Sequence, residues 1–435
     1  MHGTWKKPQG RRKIAAATGM ALLIGIGSTL ATTSRQPTAA ADQITAKLRL
    51  PVGTEADPSR VDYRRLDQRI ALVMQEPNMV GLAVAAVERG RLRFIRGYGE
   101  TLAGSGEPVT PDTVFRWASL SKGVASALVT RLADEGRLSL DAPLSGMGTT
   151  LTLPGDTKNA TVADLLSHRL GLVRNAWDDR LEAGADPKVI RAELGTLAPF
   201  CPPGTCYAYQ NIAYDAAAEI VERTTGQDYA TAARDRLFSP LGMKNASVGR
   251  IGLESAARWA KPHRMGRQPA MVNDYYYRVP AAGGVNSPVR DLTRWMLAQM
   301  GAAPTVLPAE TLSLMHQPRV PTPPHGRRGA MDRALTDAAY GLGWRTFHYA
   351  GHALVGHRGS VDGYGSLILF DPADRSGIVM LWNSNRHVAA RLQLEFFDML
   401  YGLAPTNWLE LPAPGAGATG TDTNRSPTWI KASHQ

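Results

Sequence analysis

The chain has 435 residues, 43% of them hydrophobic and 20% charged, a balance that excludes a disordered protein and leaves material for a sizeable core. Its formal charge of +11 is concentrated at the start: residues 1–41 hold six Lys or Arg and no acid, so the remainder carries only +5. A surplus that small, spread over the rest of the chain, excludes a nucleic-acid footprint.

Lys6, Lys7, Arg11, Arg12 and Lys13 precede an apolar run from Ile14 to about Ala31, and Thr38-Ala39-Ala40-Ala41 offers the small residues that signal peptidase requires. Residues 1–41 are therefore expected to be a secretory signal, with a periplasmic or secreted destination. Left uncleaved, the run is close to bilayer-spanning length and would be an N-terminal membrane anchor. Arg11-Arg12 also permits a twin-arginine export route. A polar linker is expected at 42–60, then a folded region over 61–405. Leu66, Ile70, Val73 and Met74 share one helical face. Leu82–Val87, a turn at Arg89-Gly90 and Leu92–Ile95 read as a β-hairpin, and the second strand alternates apolar with basic residues. After Ser119-Leu120-Ser121-Lys122 the period becomes helical, with Val124, Leu128 and Leu132 on a buried stripe beside Ala125 and Val129. A helical insertion is expected at about 125–280.

Cys201 and Cys206 are the two cysteines, and Pro202-Pro203-Gly204-Thr205 between them favours a turn that would let the sulfurs bond in an oxidising compartment. With no His nearby, they are not expected to hold zinc. Tyr209-Gln210-Asn211 follows three residues later. Val320–Arg333, rich in Pro, Gly and Arg, reads as a flexible loop at the rim of a site. Strands return beyond about Gly341. Ala353–Val355 leads into His357-Arg358-Gly359-Ser360, which is expected on an edge strand, and Ser366–Phe370 with Ile378–Trp382 form a second hairpin. A last helix turns Val388, Leu392, Phe396, Met399 and Leu400 one way. Residues 406–435, dominated beyond Leu411 by Pro, Gly, Thr and Asn, read as a disordered tail. Strands at both ends with helices between them imply an α/β (α+β) fold: an antiparallel sheet flanked by helices, with an inserted all-α subdomain.

The three motifs supply a nucleophile and its proton acceptors. A Ser hydroxyl is weak until something takes its proton, and Lys122 stands one helical turn beyond Ser119, where its amine can reach the hydroxyl. Burial and the positive end of the helix would both disfavour its ammonium form. Tyr209 needs a cationic setting to relay protons, from Lys122 and a protonated or hydrogen-bonding His357, because a free phenol has a pKa of about 10. Asn211 would orient Lys122 and the substrate carbonyl, and Gly359 would let the substrate backbone approach closely. Arg358 either meets a substrate carboxylate or points outward. His168 reads as a structural histidine. The chain has no Gly-x-Ser-x-Gly elbow, no His-Glu-x-x-His and no Gly-rich phosphate loop after a strand.

This set resembles the serine β-lactamase and penicillin-binding superfamily, in the branch holding class C β-lactamases, D-alanyl-D-alanine carboxypeptidases, D-aminopeptidases and related esterases. Phe115-Arg116-Trp117-Ala118-Ser119 is similar to the family's entry to the nucleophile helix. The segments Thr161–Leu172, Phe238-Ser239-Pro240-Leu241-Gly242-Met243 and Pro280-Ala281-Ala282-Gly283-Gly284-Val285 are similar to further signatures. The resemblance implies a β-lactamase/transpeptidase-like fold with its site between sheet and helical subdomain. It also implies an oxyanion hole from the backbone N–H groups of Ser119 and Ser360, and no metal or cofactor. The implied substrates are small molecules or peptides: D-amino-acid peptides, including those derived from peptidoglycan, β-lactams or small esters. His rather than Lys at 357 shifts the expectation away from antibiotic hydrolysis. The alternative is a catalytically weak penicillin- or wall-binding protein of the same fold.

Overall fold

The strand next to one end of the main sheet is β1 (Gly81–Glu88), in a computed structural model that describes residues 48, 50–54, 57–155, 159–322 and 329–411. Every residue of β1 is buried, because both faces of the sheet are covered. Ala83, Ala85 and Val87 join one apolar cluster and Leu82, Val84 and Ala86 the other, so the two-residue period survives as an alternation between two cores. β2 (Arg91–Gly99) completes the predicted hairpin and lies at the sheet's end. On the far side of β1 come β11 (Ser376–Trp382), β10 (Tyr364–Asp371), β9 (His352–Val361), β8 (Arg345–Tyr349), β7 (Thr336–Tyr340) and β6 (Val320–Pro321), in that order. Each neighbouring pair is antiparallel. The sheet thus joins segments from the two ends of the folded region.

α1 (Tyr63–Met74) starts at Asp62, whose carboxylate accepts the N–H groups of Arg64 and Arg65. It buries Leu66, Ile70 and Val73 in the same cluster as the final helix, α13 (Leu392–Tyr401). In α13 and the short turn before it, Val388, Leu392, Phe396 and Leu400 are buried and Met399 only partly. On the opposite face α10 (Val289–Gln299) packs on β1 and β11, and α2 (Ser121–Asp134) buries the expected stripe of Val124, Leu128 and Leu132 in the same apolar cluster. The insertion carries α3 (Val162–Leu166), α4 (Asp178–Glu182), α5 (Pro187–Glu193), α6 (Ala216–Thr225), α7 (Tyr229–Ala233), α8 (Arg250–Glu254) and α9 (Pro280–Gly283). It also supplies β4 (Ser247–Val248) to a small sheet ordered β3 (Val114–Arg116), β5 (Val285–Pro288), β4. α11 (Ala309–His316) and α12 (Ala330–Ala334) precede β7.

Three boundaries differ from the sequence reading. The expected loop at 320–333 begins as β6 and ends as α12, while 323–328 lie outside the described residues. Part of the expected linker pairs with the sheet: Val52 bridges Leu92, and the Leu92 N–H donates to Pro51 O at 2.7 Å. The expected tail starts too early, because residues 406–411 pack on α13. Leu409 is buried and the Trp408 indole donates to Asp398 at 2.7 Å, so apolar residues gain burial where composition alone predicted disorder. The signal or anchor at 1–41 and the tail beyond Leu411 lie outside the described residues.

Candidate active site

Ser119 sits on a 3₁₀ turn, Ala118–Leu120, immediately before α2. Ala118 takes φ 48°, a left-handed conformation that costs a non-glycine residue about 1 kcal/mol and is tolerated where surrounding bonds overdetermine it. Those bonds are present. The Trp117 N–H donates to Val285 O at 2.9 Å, its indole to Ser287 Oγ at 2.9 Å, and Ser366 Oγ donates to Trp117 O at 2.6 Å. Gly359 lies under the same turn, where a Cβ would stand 2.3 Å from Trp117 O and 2.2 Å from Ser366 Oγ. Its lack of a side chain therefore admits the nucleophile turn, a different use from the substrate approach expected of it, and Gly359 does not line the cavity.

The partner of Ser119 Oγ is the Tyr209 hydroxyl, at 2.8 Å. Lys122, expected to reach Ser119 itself, instead donates from Nζ to Asn211 Oδ1 at 2.8 Å and to Ala282 O at 3.0 Å. It lies 4.6 Å from the centre of the Tyr209 ring. Burial brings Lys122 down to about 7, against the opposing pull of Asp178 and Asp215. Burial pushes Tyr209 up to about 12, with the Ser119 hydrogen bond acting the other way. Near neutrality the lysine is thus the better proton acceptor of the two. Asn211 is oriented by Asp178, whose Oδ2 accepts from Nδ2 at 2.7 Å, and burial raises the Asp178 carboxyl.

Of the two forms expected of it, protonated or hydrogen-bonding, His357 takes the second. Its Nδ1 lies 2.8 Å from the Arg358 carbonyl, which can only accept, so Nδ1 carries the proton and Nε2 accepts from the Tyr340 hydroxyl at 2.9 Å. Burial, Arg345 and Lys122 hold the imidazole well below its usual value and hence neutral. β9 is also not an edge strand, since it lies between β10 and β8. Its pairing with β8 stops at Gly356, however, and His357–Val361 pair only with β10, which leaves a local edge where the motif needs one. Arg358 meets a carboxylate of the protein rather than standing free: its Nη1 lies 3.0 Å from Asp332 Oδ1 on α12.

The cavity, about 870 Å³, is lined by Ser119, Tyr209, Asn211, His357, Arg358 and Ser360 among others, so the three motifs meet. Arg345 on β8 lines it too and carried no sequence signal. Its Nη2 donates to Tyr207 Oη at 2.9 Å, and it makes no ion pair with a carboxylate among the described residues. His168, read as structural, brackets Tyr209: its carbonyl accepts the Ala208 N–H at 2.9 Å, its Nδ1 accepts the Gln210 N–H at 3.2 Å, and its ring packs 4.3 Å from the Tyr209 ring. Cys201 and Cys206 form the expected disulfide. It closes a loop docked on 168–171, with Phe200 N–H on Gly171 O at 2.7 Å and Gly204 N–H on Arg169 O at 2.8 Å.

A family model described as beta-lactamase matches residues 66–399. The chain is 28% identical over 365 residues to an unguisins hydrolase of Aspergillus campestris (strain IBT 28561), with 78% of this chain and 66% of that protein covered, so it spans about two thirds of that relative's length. It is 29% identical over 376 residues to penicillin-binding protein 4 of Amycolatopsis lactamdurans, covering 82% of this chain and 94% of that one. Among solved structures, the octameric penicillin-binding protein homologue from Pyrococcus abyssi superimposes with a TM-score of 0.71 at 23% identity, over 79% of this chain and 78% of that chain. That last likeness is one of fold.

Proposed function

The chain belongs to the beta-lactamase family, a family of serine hydrolases, and from that premise we propose that it is an exported enzyme forming and discharging an acyl-enzyme at Ser119. One observation carries the reading: the Tyr209 hydroxyl lies 2.8 Å from Ser119 Oγ, beside a buried lysine brought down to about 7. Ser119 Oγ attacks the carbonyl carbon of an amide or ester, and its proton passes by way of the Tyr209 hydroxyl to Lys122. The backbone N–H groups of Ser119 and Ser360 receive the developing oxyanion. The proton then moves to the leaving group as the bond to the carbonyl breaks. Water then attacks the acyl carbon and gives up a proton by the same relay to Lys122, and the ester bond to Oγ breaks as that proton returns to Ser119, releasing the acid.

Among substrates, we favour peptides ending in a free carboxylate, such as D-amino-acid peptides or peptidoglycan stems. Arg345 supports this choice, as a cation in the cavity without a carboxylate partner of its own among the described residues. β-Lactams and small esters are the competing substrates. The test is to incubate the protein with a D-alanyl-D-alanine peptide, a fluorescent penicillin, a chromogenic cephalosporin and p-nitrophenyl esters, and to weigh the intact chain. Turnover of the peptide with a transient adduct on Ser119 is expected. A stable penicillin adduct without turnover of any substrate would indicate a binding protein of the same fold, and no adduct on Ser119 would refute the acyl-enzyme.

A further inference from the structure

A buried charge cluster stands next to the candidate base and takes no part in the chemistry above. Arg191 on α5 is 2% exposed, and it lies between two carboxylates. Its Nη1 donates to Asp215 Oδ2 at 2.8 Å and its Nη2 to Glu219 Oε1 at 2.7 Å. Glu219 is held further by the Thr150 hydroxyl at 2.7 Å. None of the three lines the cavity. Burial pushes the Asp215 carboxyl up to about 7, against the pull of Arg191 and the Ala281 N–H, so above that point the cluster carries one net negative charge and is more than a neutral pair clamping α5 to α6. The other oxygen of Asp215 reaches outside the cluster: Oδ1 accepts the Ala281 N–H on α9 at 2.9 Å. The next residue, Ala282, offers the carbonyl that accepts Lys122 Nζ at 3.0 Å. One peptide unit therefore separates the Asp215 contact from the Lys122 contact.

We propose that Asp215, fixed by Arg191 and Glu219, is a positioning residue for Lys122: it holds α9 so that the Ala282 carbonyl meets Nζ, and its buried charge favours the ammonium. The proposal rests on Lys122 being the base of the acyl transfer. The charged and titratable groups facing Lys122 come from every element around it. Asp178 from α4 and Asp215 attract a proton to it, Arg345 from β8 repels one, His168 and His357 are held neutral, and Tyr209 and Tyr214 present rings at 4.6 Å and 5.5 Å. Asp178 is itself engaged with Asn211. Asp215 is thus the carboxylate that can bias Lys122 without entering the cavity.

The experiment titrates Lys122 directly. In protein labelled with [ε-¹³C]lysine, the Lys122 resonance is identified by its loss in Lys122→Arg and followed by NMR across neutral pH. Asp215→Asn keeps an acceptor for the Ala281 N–H and removes the charge. It should lower the Lys122 midpoint by roughly one pH unit, and Glu219→Gln, which removes a charge that holds the Asp215 carboxyl up, should move the midpoint the other way by less. The acid limb of fluorophosphonate labelling at Ser119 should move with it, because a less basic lysine is free at lower pH. A folded Asp215→Asn protein whose Lys122 midpoint stays at the wild-type value overturns the proposal. If Asp215→Asn does not fold, Glu219→Gln decides, with an upward shift supporting the proposal and a downward shift or none overturning it. The midpoint is read without substrate, so a wild-type Ser119 that fails to label counts against the acyl-enzyme alone.

Discussion

Lys122 is fully buried, and the two acceptors its Nζ meets, Asn211 Oδ1 and the Ala282 carbonyl, are both uncharged. Its free-base fraction therefore rises as pH passes upward through about 7, and acylation should rise with it, losing about tenfold per unit below that point. Lys122→Ala should lower acylation by roughly 10²–10⁴-fold and flatten this limb while circular dichroism stays unchanged; wild-type rates would remove Lys122 as base. Arg345 makes a different prediction. Measured at about pH 9, where Lys122 is unprotonated with or without the nearby guanidinium, Arg345→Leu should raise KM for a peptide with a free C-terminal carboxylate by about tenfold to a hundredfold and leave p-nitrophenyl ester hydrolysis close to wild type, and equal effects on both would refute a carboxylate role. These residues also differ in how far the sequence exposes them. Ser119 and Lys122 are legible because one helical turn brings i and i+3 together, which is a local fact. Arg345 and Asp178 become functional only through contacts across the fold, and neither stands in a motif. For a related reason the sequence leaves His357 open between a protonated and a hydrogen-bonding form: the Arg358 carbonyl and the Tyr340 hydroxyl assign it a neutral tautomer, and Tyr340 meets it only through the fold.

The nucleophile turn and β9 work as one unit, since Trp117 O, Ala118 and Gly359 are packed without room for a methyl group between them. Gly359→Ala should cost about 1–3 kcal/mol of stability through overpacking and slow acylation disproportionately, because relief of the clash pushes Ser119 away from Tyr209. Thermal melting together with fluorophosphonate labelling of Ser119 checks this, and a variant that melts lower yet labels at the wild-type rate would uncouple the two elements. The hairpins β1–β2 and β10–β11, α1 and the buried stripe of α2 were legible because each has its own periodicity. The local edge at His357–Val361 was not, because it depends on where β8 stops pairing, at Gly356. Residues 406–411 were misread for the opposite reason. Composition judged them against the tail beyond, but Trp408 and Leu409 find an apolar surface on α13 and beside Tyr349.

At the scale of the molecule, the sheet has an apolar cluster on each face, and the site lies where strands carrying His357 and Arg345 meet the loop carrying Tyr209 and Asn211. The strand side is held by many ladder bonds, whereas the Tyr209 segment is not in a strand or helix and depends on its contacts with 168–171 and on the Cys201–Cys206 bond. This links the proposed export to the chemistry, because a disulfide forms readily only in an oxidising compartment. Its closed loop is short, so its effect on global stability should be modest, about 2 kcal/mol by chain entropy, and its effect on Tyr209 proportionately larger. Produced without residues 1–41 in a reducing cytosol, the protein should fold with two titratable thiols and acylate slowly, and oxidation should raise the acylation rate with little change in melting temperature. Produced with those residues in an exporting host, it should lose them and show no thiols under denaturing, non-reducing conditions. Equal acylation rates for the reduced and oxidised forms would show that the hydrogen bonds to 168–171 hold Tyr209 without the disulfide.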